Sequence, residues 1–323
     1  MNNSLYPLKF EPILKDKIWG GEKLHQLFNK ASKSKKLGES WEISAVPDNI
    51  SVVSNGILKG QSLQDLVLRF KSKLLGEKNW KQFGEEFPLL IKFIDAKENL
   101  SIQLHPNDAL AKERHNASGK TEMWYVMQAD DEAKIIVGFK EKVDREIYLR
   151  HLEDKTLTDI LNVDDVKEGD AYFIESGRVH AIGAGVLLAE IQQTSDVTYR
   201  VYDWDRVDSN GNKRELHNDI AIDAFDFEMD DNFRICYHTN KNRTNEMVIC
   251  PFFTTNYIDL DSEIKKQNSY DSFIIYMCVD GDVEIITNTS NDIIVVGETI
   301  LIPASIKEFT LKSTGGKLLE VYV

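Results

Sequence analysis

The sequence predicts a mainly β protein with two β domains and a small helical insertion. Short apolar runs bounded by glycine and proline recur in both halves of the chain, as in sheets joined by turns. Helical periodicity is confined to two stretches, at about 62–76 and 141–162. The 323 residues are enough for two domains, and we expect these at 1–235 and 236–323.

Composition limits the classes of function. The content of hydrophobic residues, 42%, and of charged residues, 28%, is ordinary for a globular protein. The net charge of −14 argues against binding to nucleic acid or to an anionic membrane surface. An anionic substrate would therefore need a local cluster of lysine and arginine.

The cysteines and the chain start predict the compartment. Cys236, Cys250 and Cys278 lack the spacing of a metal or redox motif. An odd count without a secretory signal fits reduced thiols in the cytoplasm. No apolar run approaches the length of a membrane span, so we predict a cytoplasmic protein with no membrane partner.

The clearest predicted helix begins after Ser62, a good N-cap with Asp65 three residues later. Apolar residues then follow helical spacing, and Gly76 is the expected C-cap. Residues 89–94 form a nearly continuous apolar run that predicts a strand. We expect the helix to pack against the sheets and to carry no chemistry.

A second strand is predicted at residues 100–105, where apolar and polar residues alternate. Ser101, Gln103 and His105 would share one of its faces. Glu122 follows after a turn and opens another apolar run. An imidazole, an amide oxygen and a carboxylate suit a divalent metal, although this spacing also fits an exposed polar face.

Of the seven histidines, only His180 adds to this set through its sequence context. A glycine turn at Gly169, a short apolar strand and a second turn at Gly177 precede it. Strands are predicted on either side, at 133–139 and 186–191. His180 then stands at the start of the next predicted strand.

The segment before His180 resembles the second metal motif of the cupin barrels. It has Glu175 where that motif usually has proline and Ala184 where it usually has asparagine. Four segments in order resemble the type I phosphomannose isomerases, in their shorter bacterial form. They are Leu100–Pro106, Gly119–Trp124, Gly169–His180 and Gln192–Arg206. The resemblance implies a fold of two cupin-type (jelly-roll) β-barrels with a small helical insertion.

The C-terminal part repeats this pattern without a metal set. Residues 297–303 have the glycine–strand spacing seen before His180, but the matching position holds Glu308. No histidine follows His238. We therefore expect 236–323 to be a metal-free, cupin-like domain that packs on the first.

The resemblance also implies an activity and a cofactor. Mannose 6-phosphate and fructose 6-phosphate would interconvert as a proton moves between C1 and C2 through a cis-enediol. One zinc ion per chain would be held by Gln103, His105, Glu122 and His180, with a position left open for water or substrate. The same ligand set would accept other divalent metals.

Three residues outside the metal shell match catalytic positions of the family. Arg200 can stabilise the enediolate or the phosphate, although alone it would be read as an exposed strand cation. Asp196 could shuttle the proton or simply orient Arg200. Lys120 shares a strand face with Glu122 and could act as a base or as a donor.

Phosphate binding is expected from Ser101, Lys97 and Arg200, with Lys120 as an alternative. For Lys97 we favour the simpler interpretation, that it is a solvated lysine in a turn. The chain departs from the family at Gly119, where some relatives have a histidine proposed to open the sugar ring. Ring opening would then fall to another group, to water on the metal or to solution.

Two other functions fit parts of this pattern. One is a non-catalytic sugar-binding or regulatory cupin, which loss of Glu122, Arg200 or Lys120 would have favoured. The other is a different metal-dependent cupin enzyme, but those use a His-x-His pair, whereas this chain has Gln103-Leu104-His105. The expected partner is a small sugar phosphate; the sequence does not determine the oligomeric state or the pathway served.

Overall fold

A computed structural model describes residues 5–207, 210–230 and 232–323. Strands hold 41% and helices 16% of the residues, which confirms the predicted β class. No helix within these described ranges is both long and apolar enough to cross a membrane. Cys236, Cys250 and Cys278 are all free thiols.

The strands fall into an N-terminal and a C-terminal set. The N-terminal set comprises β1 (Ile13–Gly21), β2 (Leu37–Ile43), β3 (Ala45–Val46), β4 (Asn49–Ile50), β5 (Leu89–Ala96), β6 (Ile102–Leu104), β7 (Glu122–Ala129), β8 (Lys134–Phe139), β9 (Leu161–Asp165), β10 (Ala171–Ile174), β11 (His180–Ile182), β12 (Val186–Gln193) and β13 (Tyr199–Tyr202). The C-terminal set comprises β14 (Thr244–Ile249), β15 (Thr254–Leu260), β16 (Glu263–Gln267), β17 (Ile274–Asp280), β18 (Asp282–Ile286), β19 (Asn291–Val295), β20 (Thr299–Ile302), β21 (Glu308–Lys312) and β22 (Gly316–Tyr322).

The helices lie between strands of the N-terminal set or follow it. They are α1 (Lys23–Phe28), α2 (Leu63–Phe70), α3 (Ser72–Leu75), α4 (Glu77–Phe83), α5 (Asp108–His115), α6 (Arg145–Glu153) and α7 (Asn218–Ala221), with a 3₁₀ turn at Leu157–Ile160.

Two antiparallel sheets build the N-terminal sandwich. Their strand orders are β1-β2-β5-β12-β7-β10 and β13-β6-β11-β8-β9. Apolar side chains from both sheets meet between them, for example Trp124 and Leu188 from the first with Ile135 from the second. The strands that carry the predicted metal ligands therefore face one another across this interior.

The C-terminal set repeats the arrangement. Its sheets have the orders β14-β15-β22-β17-β20 and β16-β21-β18-β19 and enclose a core of their own. The outer faces of β7 and β12 pack against β15, β17 and β22 in a large shared core. A bridge between Leu8 and Leu301 also ties the start of the chain to the C-terminal set. The predicted packing of the two parts is thus seen, while the boundary at 235/236 stays a prediction.

The stretch 62–76 is helical as predicted and ends at Gly76, but a break at Lys71 divides it into two helices. Ser62 accepts a hydrogen bond from the Asp65 amide, as an N-cap does. The helix stops at Phe70 because Lys71 has a φ of 50°. A short second helix follows, and Gly76, with a φ of 94°, ends that one.

Residues 141–162 contain helix α6 and the 3₁₀ turn, as predicted, although β9 already begins at Leu161. Four helices were not predicted, namely α1, α4, α5 and α7. Helix α4 follows Gly76 directly, and α5 begins after Asn107, whose side chain accepts a hydrogen bond from the Leu110 amide. Both lack the strong apolar periodicity on which the prediction depended.

Glu308, the residue expected to match His180, begins β21 as His180 begins β11. The Glu308 side chain is exposed, whereas Phe309 is buried in the C-terminal core. Because side chains alternate along a strand, Phe309 takes the inward position, and a phenyl ring cannot bind a metal.

Candidate active site

The predicted metal ligands converge from three strands. Gln103 on β6 pairs directly with His180 at the start of β11, and His105 follows β6 immediately. Glu122 is the first residue of β7 in the facing sheet. The sandwich therefore brings together residues up to 77 positions apart in the chain.

The ligand atoms are close enough to share one ion. Glu122 Oε2 lies 3.6 Å from His105 Nε2, and Glu122 Oε1 lies 3.5 Å from His180 Nε2. One ligand atom from each of the three residues lies within 4.8 Å of the other two. All three side chains are buried, which keeps bulk water away from the site.

Hydrogen bonds orient both imidazoles toward this point. His105 Nδ1 donates to the Val197 carbonyl at 2.9 Å, and His180 Nδ1 donates to the Arg178 carbonyl at 2.8 Å. Each Nε2 is then left as a lone-pair ligand, as in many metal sites. The carboxylate of Glu122 accepts no well-directed hydrogen bond, although Lys120 Nζ lies 2.8 Å from Oε2. This donor set fits a divalent ion.

Gln103 completes the set only after its amide turns. Its Nε2 lies 3.5 Å from His180 Nε2, while Ser101 Oγ donates to its Oε1 at 3.4 Å. A 180° rotation of the amide exchanges its nitrogen and oxygen, which would place the oxygen beside His180. The fourth ligand remains a prediction that depends on this rotation.

Burial lowers the pKa values of the two histidines and raises the pKa of Glu122. Desolvation lowers the pKa of His180 to about 3 and that of His105 well below its usual value. Both rings are therefore neutral at pH 7, as metal ligands must be. Desolvation raises the pKa of Glu122 to about 7, and Lys120 opposes this shift.

Metal affinity should consequently follow the titration of Glu122. Its proton must leave before an ion binds, so the association constant should rise about tenfold per pH unit from about pH 5 to 7 and then level off. Competition with a chromophoric chelator would measure this slope. Glu132→Gln, which removes an exposed carboxylate, should leave the profile unchanged. A slope of two protons would show that a histidine titrates as well.

A cavity of about 310 Å³ opens beside the ligands. It is lined by Ser101, Gln103, Lys120, His180, Asp196, Thr198 and Arg200, with further residues described below. His105 and Glu122 lie deeper and contact the lining residue Lys120. Besides His180, five predicted functional residues thus line this one cavity: Ser101, Gln103, Lys120, Asp196 and Arg200.

Arg200 is half-buried and has no ion pair among the residues that the structure describes. Its Nε donates to Ser101 Oγ at 3.3 Å, and one terminal nitrogen donates to the Glu215 carbonyl at 2.9 Å. Burial and the nearby Arg214 lower the pKa of Arg200. The guanidinium therefore retains charge that is not neutralised, unlike the exposed strand cation that spacing alone would suggest.

Comparison with known proteins shows the family. Residues 7–136 match the type I phosphomannose isomerase catalytic domain, and residues 243–323 match the mannose-6-phosphate isomerase cupin domain. A mannose-6-phosphate isomerase of Streptococcus mutans is 36% identical over 94% of this chain and 94% of its own length. The chain belongs to the type I phosphomannose isomerases.

Two Bacillus subtilis proteins extend the comparison. A probable mannose-6-phosphate isomerase, GmuF, is 34% identical over 96% of this chain and 97% of its own length. The crystal structure of a mannose 6-phosphate isomerase superimposes with a TM-score of 0.89 at 32% identity, covering 99% of this chain and all of that one. These matches confirm the predicted family, enzyme class and cupin fold.

Lys97 is the one predicted phosphate ligand that this type I phosphomannose isomerase does not bring into the cavity. It is exposed in the turn that follows β5 and does not line the cavity. This position fits the simpler interpretation of Lys97 as a solvated turn lysine. His115 does not line the cavity either, because its Nε2 is bound to the Tyr199 hydroxyl at 2.8 Å.

The sequence analysis missed a buried ion pair in the cavity wall. Lys92 Nζ donates to Glu190 Oε1 at 2.9 Å, and Trp124 Nε1 donates to Glu190 Oε2 at 2.9 Å. Lys92 on β5 and Glu190 on β12 are cross-strand partners. The available signal was one lysine within the apolar run 89–94 and one glutamate within the apolar run 186–191, since a buried charge requires a partner.

These charges hold one another in the ionised state. Burial disfavours a charged Glu190, but Lys92, followed by Lys120, outweighs it and lowers the pKa of Glu190 to about 2. Burial likewise disfavours a charged Lys92, but Glu190 and Glu39 raise the pKa of that ammonium. The cavity wall beside the candidate metal site is therefore charged, and the ion pair and the Trp124 hydrogen bond hold its side chains in place.

Gly119 departs from the family because the backbone leaves no room for a side chain. A Cβ there would lie 2.6 Å from the Asp108 nitrogen and 2.7 Å from the Asn107 carbonyl carbon. The Gly119 amide also donates to Asp108 Oδ1 at 2.7 Å. The histidine found here in some relatives could not be accommodated unless helix α5 moved.

Gly119→Ala should accordingly destabilise the protein by about 1–3 kcal/mol through overpacking against the start of α5. Chemical unfolding of the metal-free protein would measure this change. Gly315→Ala is the matched control, because a Cβ at Gly315 would meet nothing within 4 Å. Equal stability of the two variants would show that the loop before Lys120 can relax.

Proposed function

We propose that the protein interconverts mannose 6-phosphate and fructose 6-phosphate through a cis-enediol intermediate, with one zinc ion per chain. The observation that carries this proposal is the position of His105, Glu122 and His180 at the deep end of a cavity that also presents Arg200. Membership of the family makes this reaction the first one to test, and the names of its relatives indicate the substrate.

The cofactor would be held by Gln103, His105, Glu122 and His180. Two neutral imidazoles, one carboxylate and one amide oxygen leave the bound ion with a net positive charge. When bound, zinc would polarise the carbonyl and attract the sugar oxygens that become negative. Other divalent ions suit the same ligands, so metal identity is part of the test.

The proton between C1 and C2 needs a carboxylate that is free to accept it. Asp196 lines the cavity and forms no ion pair or hydrogen bond within the described ranges. Glu190 also lines the cavity, but Lys92 and Trp124 already occupy its oxygens. We therefore assign Asp196 as the proton carrier, which removes the proton from one carbon and returns it to the next.

Cations around the reacting carbons would stabilise the enediolate. Arg200, which has no neutralising partner, is the preferred group because a guanidinium stays charged and offers several donors. Lys120 is positioned beside His105 and Glu122 to donate to a sugar oxygen. Ser101 would add a hydroxyl donor between Gln103 and Arg200.

The test is conversion of mannose 6-phosphate to fructose 6-phosphate by purified protein before chelation, after chelation and after zinc is restored. Chelation should remove the activity and zinc should return it. Asp196→Asn should stop exchange of the C2 hydrogen with solvent, whereas retained exchange, with loss in Glu190→Gln instead, would reassign the proton carrier. A folded, metal-loaded wild type that forms no fructose 6-phosphate would refute the proposal.

A further inference from the structure

A group of arginines lies at one part of the cavity wall. Arg200, Arg206 and Arg214 surround one buried carboxylate, that of Asp203. Only Arg200 and Arg214 line the cavity. This is the local positive cluster that an anionic substrate requires in a chain with a net charge of −14.

Charge counting separates this region from the rest of the cavity. Each lysine in the lining is paired: Lys17 with Glu39, Lys92 with Glu190 and Lys120 with Glu122. Arg214 shares the carboxylate of Asp203 with Arg206. Arg200 forms no ion pair among the described residues, although Asp203 and Glu215 lie near enough to oppose the lowering of its pKa by burial. Guanidinium donors without a carboxylate partner are therefore concentrated beside Arg200 and Arg214.

Hydrogen bonds hold the Arg214 guanidinium in place while some of its N–H donors stay without a partner within the described ranges. Its Nε donates to Asp203 Oδ2 at 2.7 Å, and one terminal nitrogen donates to Asp203 Oδ1. The other terminal nitrogen has no partner in the described part of the chain. Such a guanidinium is already oriented and can still offer donors to an anion.

The carboxylate that holds Arg214 is itself fixed. Asp203 is 5% exposed, and the two residues after it, Trp204 and Asp205, have φ values of 56° and 53°. Trp204 Nε1 donates to the Leu100 carbonyl at 2.7 Å, which anchors this strained turn beside Ser101. A turn held this rigidly positions its side chains with little loss of entropy on binding.

We infer that Arg214, held by Asp203, determines specificity by binding the phosphate group of a phosphorylated sugar. Arg200 and the hydroxyls of Ser101 and Thr198 complete the subsite, and Asp203 acts as a positioning residue. The inference rests on the proposed function, which supplies the identity of the sugar that carries the phosphate. Its chemical content is narrower: a phosphate monoester dianion accepts hydrogen bonds from the guanidinium donors of Arg200 and Arg214 that no carboxylate occupies.

The experiment compares zinc-loaded wild type with Arg214→Gln, Arg214→Lys and Lys213→Gln. Lys213 is the matched control, because it is the adjacent cation, is exposed and does not line the cavity. Binding of inorganic phosphate and of mannose 6-phosphate would be measured by calorimetry. Steady-state kinetics with mannose 6-phosphate would separate KM from kcat.

Arg214→Gln should weaken binding of both ligands about 10- to 100-fold, the range for loss of charge-assisted hydrogen bonds. KM should rise by a similar factor while kcat changes only a few-fold. The affinities of Arg214→Lys should lie between those of wild type and Arg214→Gln, because lysine keeps the charge but lacks the several donors of a guanidinium. The affinities of Lys213→Gln should stay within about twofold of wild type. Metal content and thermal unfolding midpoint should match wild type throughout.

Unchanged phosphate affinity in Arg214→Gln would overturn the inference. So would a loss confined to kcat, or equal losses in Arg214→Gln and Lys213→Gln, which would indicate a general effect of charge. A wild type that binds phosphate through Arg214 but does not convert mannose 6-phosphate would refute the proposed function alone. The subsite and the isomerase assignment therefore fail separately.

Discussion

Replacement of His105 by alanine should remove the bound metal and reduce kcat/KM for mannose 6-phosphate by at least about 10³-fold. Loss of the imidazole takes away one of three converging ligands and leaves the buried Glu122 carboxylate without its neighbour. Metal stabilisation of transition-state charge is worth several kcal/mol, and each 1.36 kcal/mol is about a factor of ten in rate.

Metal analysis after dialysis and initial rates would check this expectation. His180→Ala should behave in the same way, because its Nε2 lies at a similar distance from Glu122. His151→Ala is the control, since His151 lies on α6 and binds Thr156. Full metal content in His105→Ala would place the ion elsewhere, whereas metal loss with full activity would show that the reaction does not need it.

The largest effect on stability is expected from Lys92→Met. This change leaves Glu190 buried without its cation and also removes a charge that stabilises ionised Glu39. Breaking a buried ion pair from one side costs about 3–5 kcal/mol. Denaturant unfolding at pH 7 should show a loss of this size, accompanied by loss of activity.

Two comparisons distinguish the ion pair from packing. Lys92→Met with Glu190→Gln should recover a substantial part of the stability, because no uncompensated charge remains. Lys265→Met, at an exposed lysine of β16, should change the free energy of unfolding by less than about 0.5 kcal/mol. A loss below about 1 kcal/mol in Lys92→Met would show that water reaches Glu190.

The pH dependence gives a further check on the same pair. The pKa of Glu190 is lowered from 4.5 to about 2 in the folded protein. Its ionised form therefore contributes stability above about pH 4.5, and this contribution is lost as the pH falls toward 2. The difference in the free energy of unfolding between wild type and Lys92→Met should become smaller as the pH falls through that range.

The sequence alone was sufficient for the β class, the first strong helix start and the three residues that the structure brings together as candidate metal ligands. His105, Glu122 and His180 lie in motifs that can be recognised from the sequence, because turns and strand alternation depend on residues that are close along the chain. The same motifs identified Arg200 and Asp196, and the structure places both in the cavity.

The tertiary structure decided which other charges belong to the site. Lys92 and Glu190 are 98 residues apart and meet only because β5 and β12 are neighbours. Lys97 lies near the ligands in sequence but is exposed. Arg214 is held as a cavity residue by hydrogen bonds to Asp203, which lies 11 residues earlier in the chain. Local patterns report which face a side chain takes, whereas sheet pairing determines which distant charges share a low-dielectric space.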